Sequence, residues 1–165
     1  MRSIPLLLVS LILGAAPIPR SAPDFAMVMQ DGSKVALKQY RGKVVLMAFV
    51  LTTCPHCQKA TGTFKQLQSE LGPKGFQVLE AAVEDDAKDH LADFKTKFQQ
   101  NYPVGWSDRP DVEPVLKPDP KKLTMMPQVV LIDRKGAIRA QFGGDDNIFE
   151  GNELANLRAL IKKYL

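Results

Sequence analysis

The run VVLMAFV at positions 44–50 is apolar at every position. Seven residues are too few for an ordinary buried helix, and the valines favour extended backbone, so the run predicts a strand covered on both faces. Upstream, an apolar stretch from Phe25 to Met29, an Asp31-Gly32 turn and a short run from Lys34 to Leu37 form the pattern of a β-hairpin. Downstream the spacing becomes helical. Ala60, Phe64, Leu67 and Leu71 recur at four, three and four residues, on a stripe that starts after Pro55 and stops at Gly72-Pro73. Phe76 to Val83 reads as another strand, and Asp86 to Gln100 as a helix whose inner face is Leu91, Phe94 and Phe98.

The stretch WSDRPDVEPVLKPDPKKL carries Pro110, Pro114, Pro118 and Pro120, and predicts a loop with at most one helical turn near Val115. Met126-Pro127 then opens a strand QVVLID. Arg134 to Gly136 turn the chain, Ala137 to Phe142 return antiparallel, and Asn152 to Leu165 close the sequence as a helix with Leu154, Leu157, Ile161 and Tyr164 on one side. Strands alternating with helices predict an α/β fold with a partly parallel sheet. The chain shows no internal repeat, and its 165 residues suit one domain with a substantial core.

The first residues change where that domain is expected to work. Arg2, an apolar stretch from Ile4 to Leu13 and the small residues Gly14, Ala15 and Ala16 form a secretory signal pattern. The stretch is shorter than a spanning helix requires, so residues 1–22 are expected to be a removed signal, cut between Ala15 and Ala22, rather than a permanent span; an uncleaved tether is the alternative. Residues 23–165 then form the mature domain, exported to the periplasm or another extracytoplasmic space. The net charge of +4 would fall to +2 with the loss of Arg2 and Arg20. Basic residues that are spread out and so nearly balanced give no reason to expect nucleic acid.

Export gives the two cysteines their meaning, because thiols outside the cytoplasm meet an oxidising environment. Both lie in LTTCPHCQKA, as Cys54 and Cys57 around Pro55 and His56. Haem attachment requires a histidine directly after the second cysteine, where this chain has Gln58. Structural zinc requires four ligands, and only His56 and His90 are available to join the cysteines. A structural staple across so short a loop would remove little unfolded-state entropy. A copper carrier remains open, since soft thiolates favour Cu(I). A thiol peroxidase, suggested by Thr52 and Thr53, ranks lower because the proline several residues upstream is absent from VVLMAFV. A redox dithiol accounts best for the placement. At the first turn of a helix behind a buried strand, free backbone N–H groups favour the thiolate of the leading sulfur, and the second sulfur, one turn on, is more buried and resolves the mixed disulfide.

With those residues in place, the chain resembles the thioredoxin superfamily, in its exported TlpA/ResA-like branch that overlaps with redoxins. The resemblance runs from APDFAMVMQDGSKVALKQYRGKVVLMAFV through TTCPHC to MPQVVLIDRKGAIRAQFGG. It implies a thioredoxin-like fold, a central mixed β-sheet flanked by helices with the β-hairpin as an N-terminal extension. It also implies thiol-disulfide oxidoreductase activity through Cys54 and Cys57, without a cofactor or metal. Pro127 matches the family's cis-proline, and Met126 before it would pair its backbone with an extended substrate peptide. Protein thiols or disulfides and an upstream redox partner are the implied partners, and a monomer is expected.

Three positions depart from the family. Ala48 stands where thioredoxins carry a buried acid on the central strand, Thr53 replaces the usual aromatic residue, and Ala60 replaces the acid that some ResA-like proteins have after the second cysteine. Proton transfer to or from Cys57 is left to water or to Glu84 at the end of the next strand. Pro55 and His56 tune the pair. The same dipeptide occurs in DsbA-type oxidases, where a stabilised thiolate makes the disulfide a stronger oxidant, whereas the TlpA/ResA resemblance implies a reductant.

Overall fold

A computed structural model describes residues 17–118 and 125–165; the apolar leader at residues 1–16 and the end of the proline-rich stretch at residues 119–124 lie outside the described residues. In chain order the elements are β1 (Arg20–Ser21), β2 (Ala26–Val28), β3 (Lys34–Ala36), β4 (Val44–Val50), α1 (Pro55–Leu71), β5 (Phe76–Ala82), α2 (Ala87–Phe98), β6 (Val104–Trp106), α3 (Arg109–Leu116), β7 (Gln128–Ile132), β8 (Ala137–Phe142) and α4 (Glu153–Lys162), with short 3-10 turns between some of them.

One eight-stranded sheet runs in the order β1-β8-β7-β4-β5-β6-β2-β3. Its centre is the apolar run at 44–50, every residue of which is buried. β4 runs parallel to β5, with Ala48 opposite Glu80, and antiparallel to β7. Side chains alternate across the strand. Val44, Leu46, Ala48 and Val50 join the cluster that includes Phe64 and Leu67 of α1, Leu91 of α2 and Leu157 of α4. Val45, Met47 and Phe49 join Phe25, Leu37, Leu79, Val112 and Val115 on the opposite face.

The hairpin is part of the sheet rather than an appendage. β2 pairs with β6 as well as with β3, a connection made possible by Gly105, because a Cβ there would come within 2.5 Å of the Val28 carbonyl oxygen. The hydrophobic pattern did not predict β6, whose three residues are too short to show a period.

The proline-rich stretch also differs from expectation, with α3 occupying Arg109–Leu116 where a loop with a single turn is predicted. Pro110 falls in the first turn, where a backbone N–H has no helical partner to lose. Pro114 costs an interior bond, which is offset by burying Val112, Val115 and Leu116 against the apolar face. At the other edge, β1 pairs Arg20 with Ile138 and Ser21 with Ala137. The Arg20 guanidinium donates to the carbonyls of Val115 and Leu116 and to Gln141, so residues assigned by the sequence to the leader are held by the folded sheet.

Candidate functional site

The strand-to-helix junction after β4 places the two sulfurs differently. Cys54 is the N-cap of α1, with extended backbone at φ −76° and ψ 122°, and Pro55 follows in the first turn. The Cys54 carbonyl accepts the first helical bond, from Gln58 N–H at 2.9 Å. Cys54 is half-buried, Cys57 is fully buried, and both are free thiols. One turn into the helix, Cys57 Sγ accepts from the Leu51 N–H at 3.5 Å. Burial pushes the Cys57 thiol far above its ordinary pKa. The Leu51 N–H works against that rise, while Cys54 and the charge of Glu80 add to it. Cys57 therefore needs somewhere for its proton to go before it can act as a nucleophile.

The turn before Cys54 is held from both sides. Thr52 N–H donates to Glu84 at 2.8 Å and the Thr52 hydroxyl donates to the same oxygen, while Gln58 Nε2 donates to the Thr52 carbonyl at 2.8 Å. This corrects the expectation for Glu84, which anchors the TTC turn and is not bonded to Cys57.

The buried acid on this side of the sheet is Glu80, which sequence reasoning missed. It is fully buried on β5, directly beside Ala48. The Thr61 hydroxyl donates to Glu80 Oε1 at 2.6 Å and the Tyr102 hydroxyl to Oε2 at 2.9 Å. Thr61 Oγ1 also lies 3.0 Å from the carbonyl oxygen of Cys57, one turn back on α1. Burial raises the Glu80 carboxyl to about 7, even though both hydroxyl bonds pull it down. Burial and the neighbouring carboxylate also push the Tyr102 phenol well above its ordinary value. A signal was present in the sequence: a lone Glu inside the apolar strand FQVLEAAV breaks the pattern of a fully buried strand.

The Met126–Pro127 peptide is cis. Pro127 is buried, Met126 half-buried and Met125 exposed. The segment is backed by Gly144, whose N–H donates to the Met125 carbonyl at 2.9 Å and where a Cβ would lie 2.2 Å from the Met126 oxygen. His56 is exposed and shares with Lys59, Pro127, Phe149 and Glu153 the wall of a cleft of about 260 Å³. The fold therefore brings residues 56 and 127 to one cleft across 71 positions of sequence. Among the described residues, no three His, Cys, Asp or Glu side chains gather into a group that could hold a metal ion. No helix among them is long and apolar enough to cross a membrane.

The redoxin family model matches residues 19–161. The chain belongs to the redoxin family. Within the thioredoxin superfamily, this redoxin is ResA/TlpA-like. It is 24% identical over 128 residues to the thiol-disulfide oxidoreductase ResA of Bacillus thuringiensis subsp. konkukian, covering 78% of this chain and 70% of the relative. A structure assigned to a thiol:disulfide interchange protein DsbE from Chlorobium tepidum superposes with a TM-score of 0.70 at 25% identity, covering 87% of this chain and 96% of that one. A thiol:disulfide interchange protein of the thioredoxin family from Chlorobium tepidum TLS gives a TM-score of 0.72 at 20% identity, with coverages of 91% and 99%. Such neighbours share the thioredoxin-like fold that the resemblance implies, a central mixed sheet flanked by helices.

Proposed function

We propose that this redoxin is an exported thiol-disulfide oxidoreductase that exchanges disulfides with protein substrates through Cys54 and Cys57. The observation that carries the reading is the unequal placement of the two sulfurs at one helix start. One is half-exposed at the N-cap and the other is fully buried a turn later. ResA and DsbE, whose names record thiol-disulfide exchange, lend the same activity to this chain.

In the reducing direction, Cys54 attacks a substrate disulfide, forming a bond to one sulfur while the other leaves as a thiolate. Cys57 then attacks Cys54, and the substrate cysteine departs with the electron pair. The substrate disulfide is reduced to two thiols and the protein dithiol is oxidised to a disulfide. The oxidising direction is the reverse. Met126, half-buried and directly before the cleft-lining Pro127, is suited to offer its backbone to an extended substrate segment. His56, exposed in the same cleft, is placed to act with Pro55 on the stability of the Cys54 thiolate, and so on the direction of electron flow.

The export signal bears on the sheet. A cut near Ala15 leaves β1 in the mature protein, whereas a cut at Ala22 removes Arg20 and the strand it forms. We place the cut upstream of Arg20; mass spectrometry of the exported protein checks this, and a mature chain starting at residue 21 or later would refute it. The activity is tested by insulin reduction or by exchange with a cysteine-containing peptide disulfide. Wild type is expected to catalyse it. A Cys54→Ser variant that matches wild type would sink the reading. Anaerobic Cu(I) titration separates the copper-carrier alternative, because stoichiometric tight binding without exchange activity would favour that role.

A further inference from the structure

The acid that thioredoxins carry on the central strand is Ala48 here, and the acid of some ResA-like proteins after the second cysteine is Ala60. Both alanines are buried in the cluster that contains Cys57. Paired residues of parallel neighbours point to the same side of a sheet, so Glu80, opposite Ala48, also points toward α1. Its carboxylate reaches Thr61, one turn beyond Cys57, and is held there by the Thr61 and Tyr102 hydroxyls. Ala48 leaves the space that this crossing needs, since a larger side chain on the same face of β4 would compete for it.

We propose that Glu80 is the proton acceptor for Cys57, an acid moved one strand over from β4 to β5. The inference rests on the dithiol-exchange reading and deepens it. In the resolving step the Cys57 thiol gives its proton to the Glu80 carboxylate as its sulfur bonds to Cys54. The bond between Cys54 and the substrate sulfur breaks, and the substrate leaves with the electron pair as a thiolate that is protonated by solvent. In the reverse direction, a substrate thiolate attacks Cys54, Cys57 leaves as a thiolate, and the Glu80 carboxyl returns the proton. No other oxidant or reductant is required.

The surroundings suit this function near neutral pH. The groups bonded to Glu80 are the hydroxyls of Thr61 from α1 and Tyr102 from the segment before β6, its charge reaches the Cys57 thiol of α1, and its register partner on β4 is Ala48. Desolvation holds the carboxyl near 7, where both protonation states are populated and the proton can move either way. A carboxylate at its ordinary pKa would be too weak a base for a thiol held so far up.

The test is stopped-flow kinetics from pH 5 to 9 on two separate steps. The first is attack of Cys54 on a peptide disulfide, read in a Cys57→Ser background so that the mixed disulfide accumulates. The second is release of peptide thiol from a preformed Cys54 mixed disulfide. In wild type, release should rise with pH through an inflection near 7. Glu80→Gln should slow release by about 100-fold at pH 7 and remove that inflection, while Cys54 attack stays within about 2-fold. Tyr102→Phe, which deletes one donor to the carboxylate, should move the inflection to higher pH and serves if Glu80→Gln does not fold. Unchanged release and an unchanged inflection in either folded variant would overturn the role of Glu80 while leaving the dithiol reading intact. That reading fails separately if Cys54→Ser retains exchange.

Discussion

The two faces of the sheet are built on different terms. On the face of β4 that carries Phe49 and Met47, the packing partners are Phe25, Leu37, Leu79, Val112 and Val115, and the contact between Phe25 and Phe49 is edge-to-face at 5.5 Å. On the other face, beneath α1, the apolar cluster surrounds Glu80 with its two hydroxyl partners and the Cys57 thiol. The first face stabilises through burial alone. The second gives up some stability to keep a titrating carboxyl and a protonated thiol in a low dielectric, where burial raises both and the charge of Glu80 adds to the rise at Cys57. The reactive pair sits where β4 ends and α1 begins because one sulfur reaches solvent there while the other lies in the same cluster as the acid's partner Tyr102.

The largest effect should come from the reactive side. Cys54→Ser should reduce peptide-disulfide exchange to the uncatalysed background, whereas Cys57→Ser should accumulate the mixed disulfide, seen as a mass increase equal to the peptide half. On the apolar side, Phe49→Ala removes a fully buried ring and should cost about 3–5 kcal/mol, measured by denaturant unfolding. That loss should be the same at pH 5 and pH 8, and the inflection of thiol release should not move.

The acid-bearing face should behave in the opposite way. Glu80 titrates at about 7 in the folded protein instead of near 4.5, so between those values the native state retains a proton that the unfolded chain has lost. Stability must therefore fall as pH rises through that window, by on the order of 1–3 kcal/mol, and a Glu80→Gln variant should lack that slope. If Phe49→Ala showed the pH dependence and Glu80→Gln did not, the contrast between the faces would collapse. The smallest effect belongs to neither face. The Asn152 side chain accepts from Ala155 N–H at 3.1 Å at the start of α4, and Asn152→Ala should cost about 0.5–2 kcal/mol without altering exchange.

Local pattern was enough for much of this molecule. The unbroken run at 44–50 required a central strand, the stripe from Ala60 to Leu71 required a helix, and CPHC between them put two sulfurs at a helix start, because each rests on spacing within a few residues. The sequence alone also pointed to Met126-Pro127 through family resemblance. Tertiary structure decided what depended on neighbours distant in the chain. Strand β6 forms by pairing with β5 and joins the hairpin because Gly105 allows Val28 to approach, and α3 forms across two prolines because Val112, Val115 and Leu116 are buried. Glu84, offered beside water as a proton route for Cys57 from its place just after β5, bonds Thr52 instead. The acid that does share the surroundings of Cys57, Glu80, is 23 positions away in the chain. Its meaning came from the parallel register that sets it against Ala48, because burial and hydroxyl partners fix a carboxyl's pKa, and only the packed sheet supplies them.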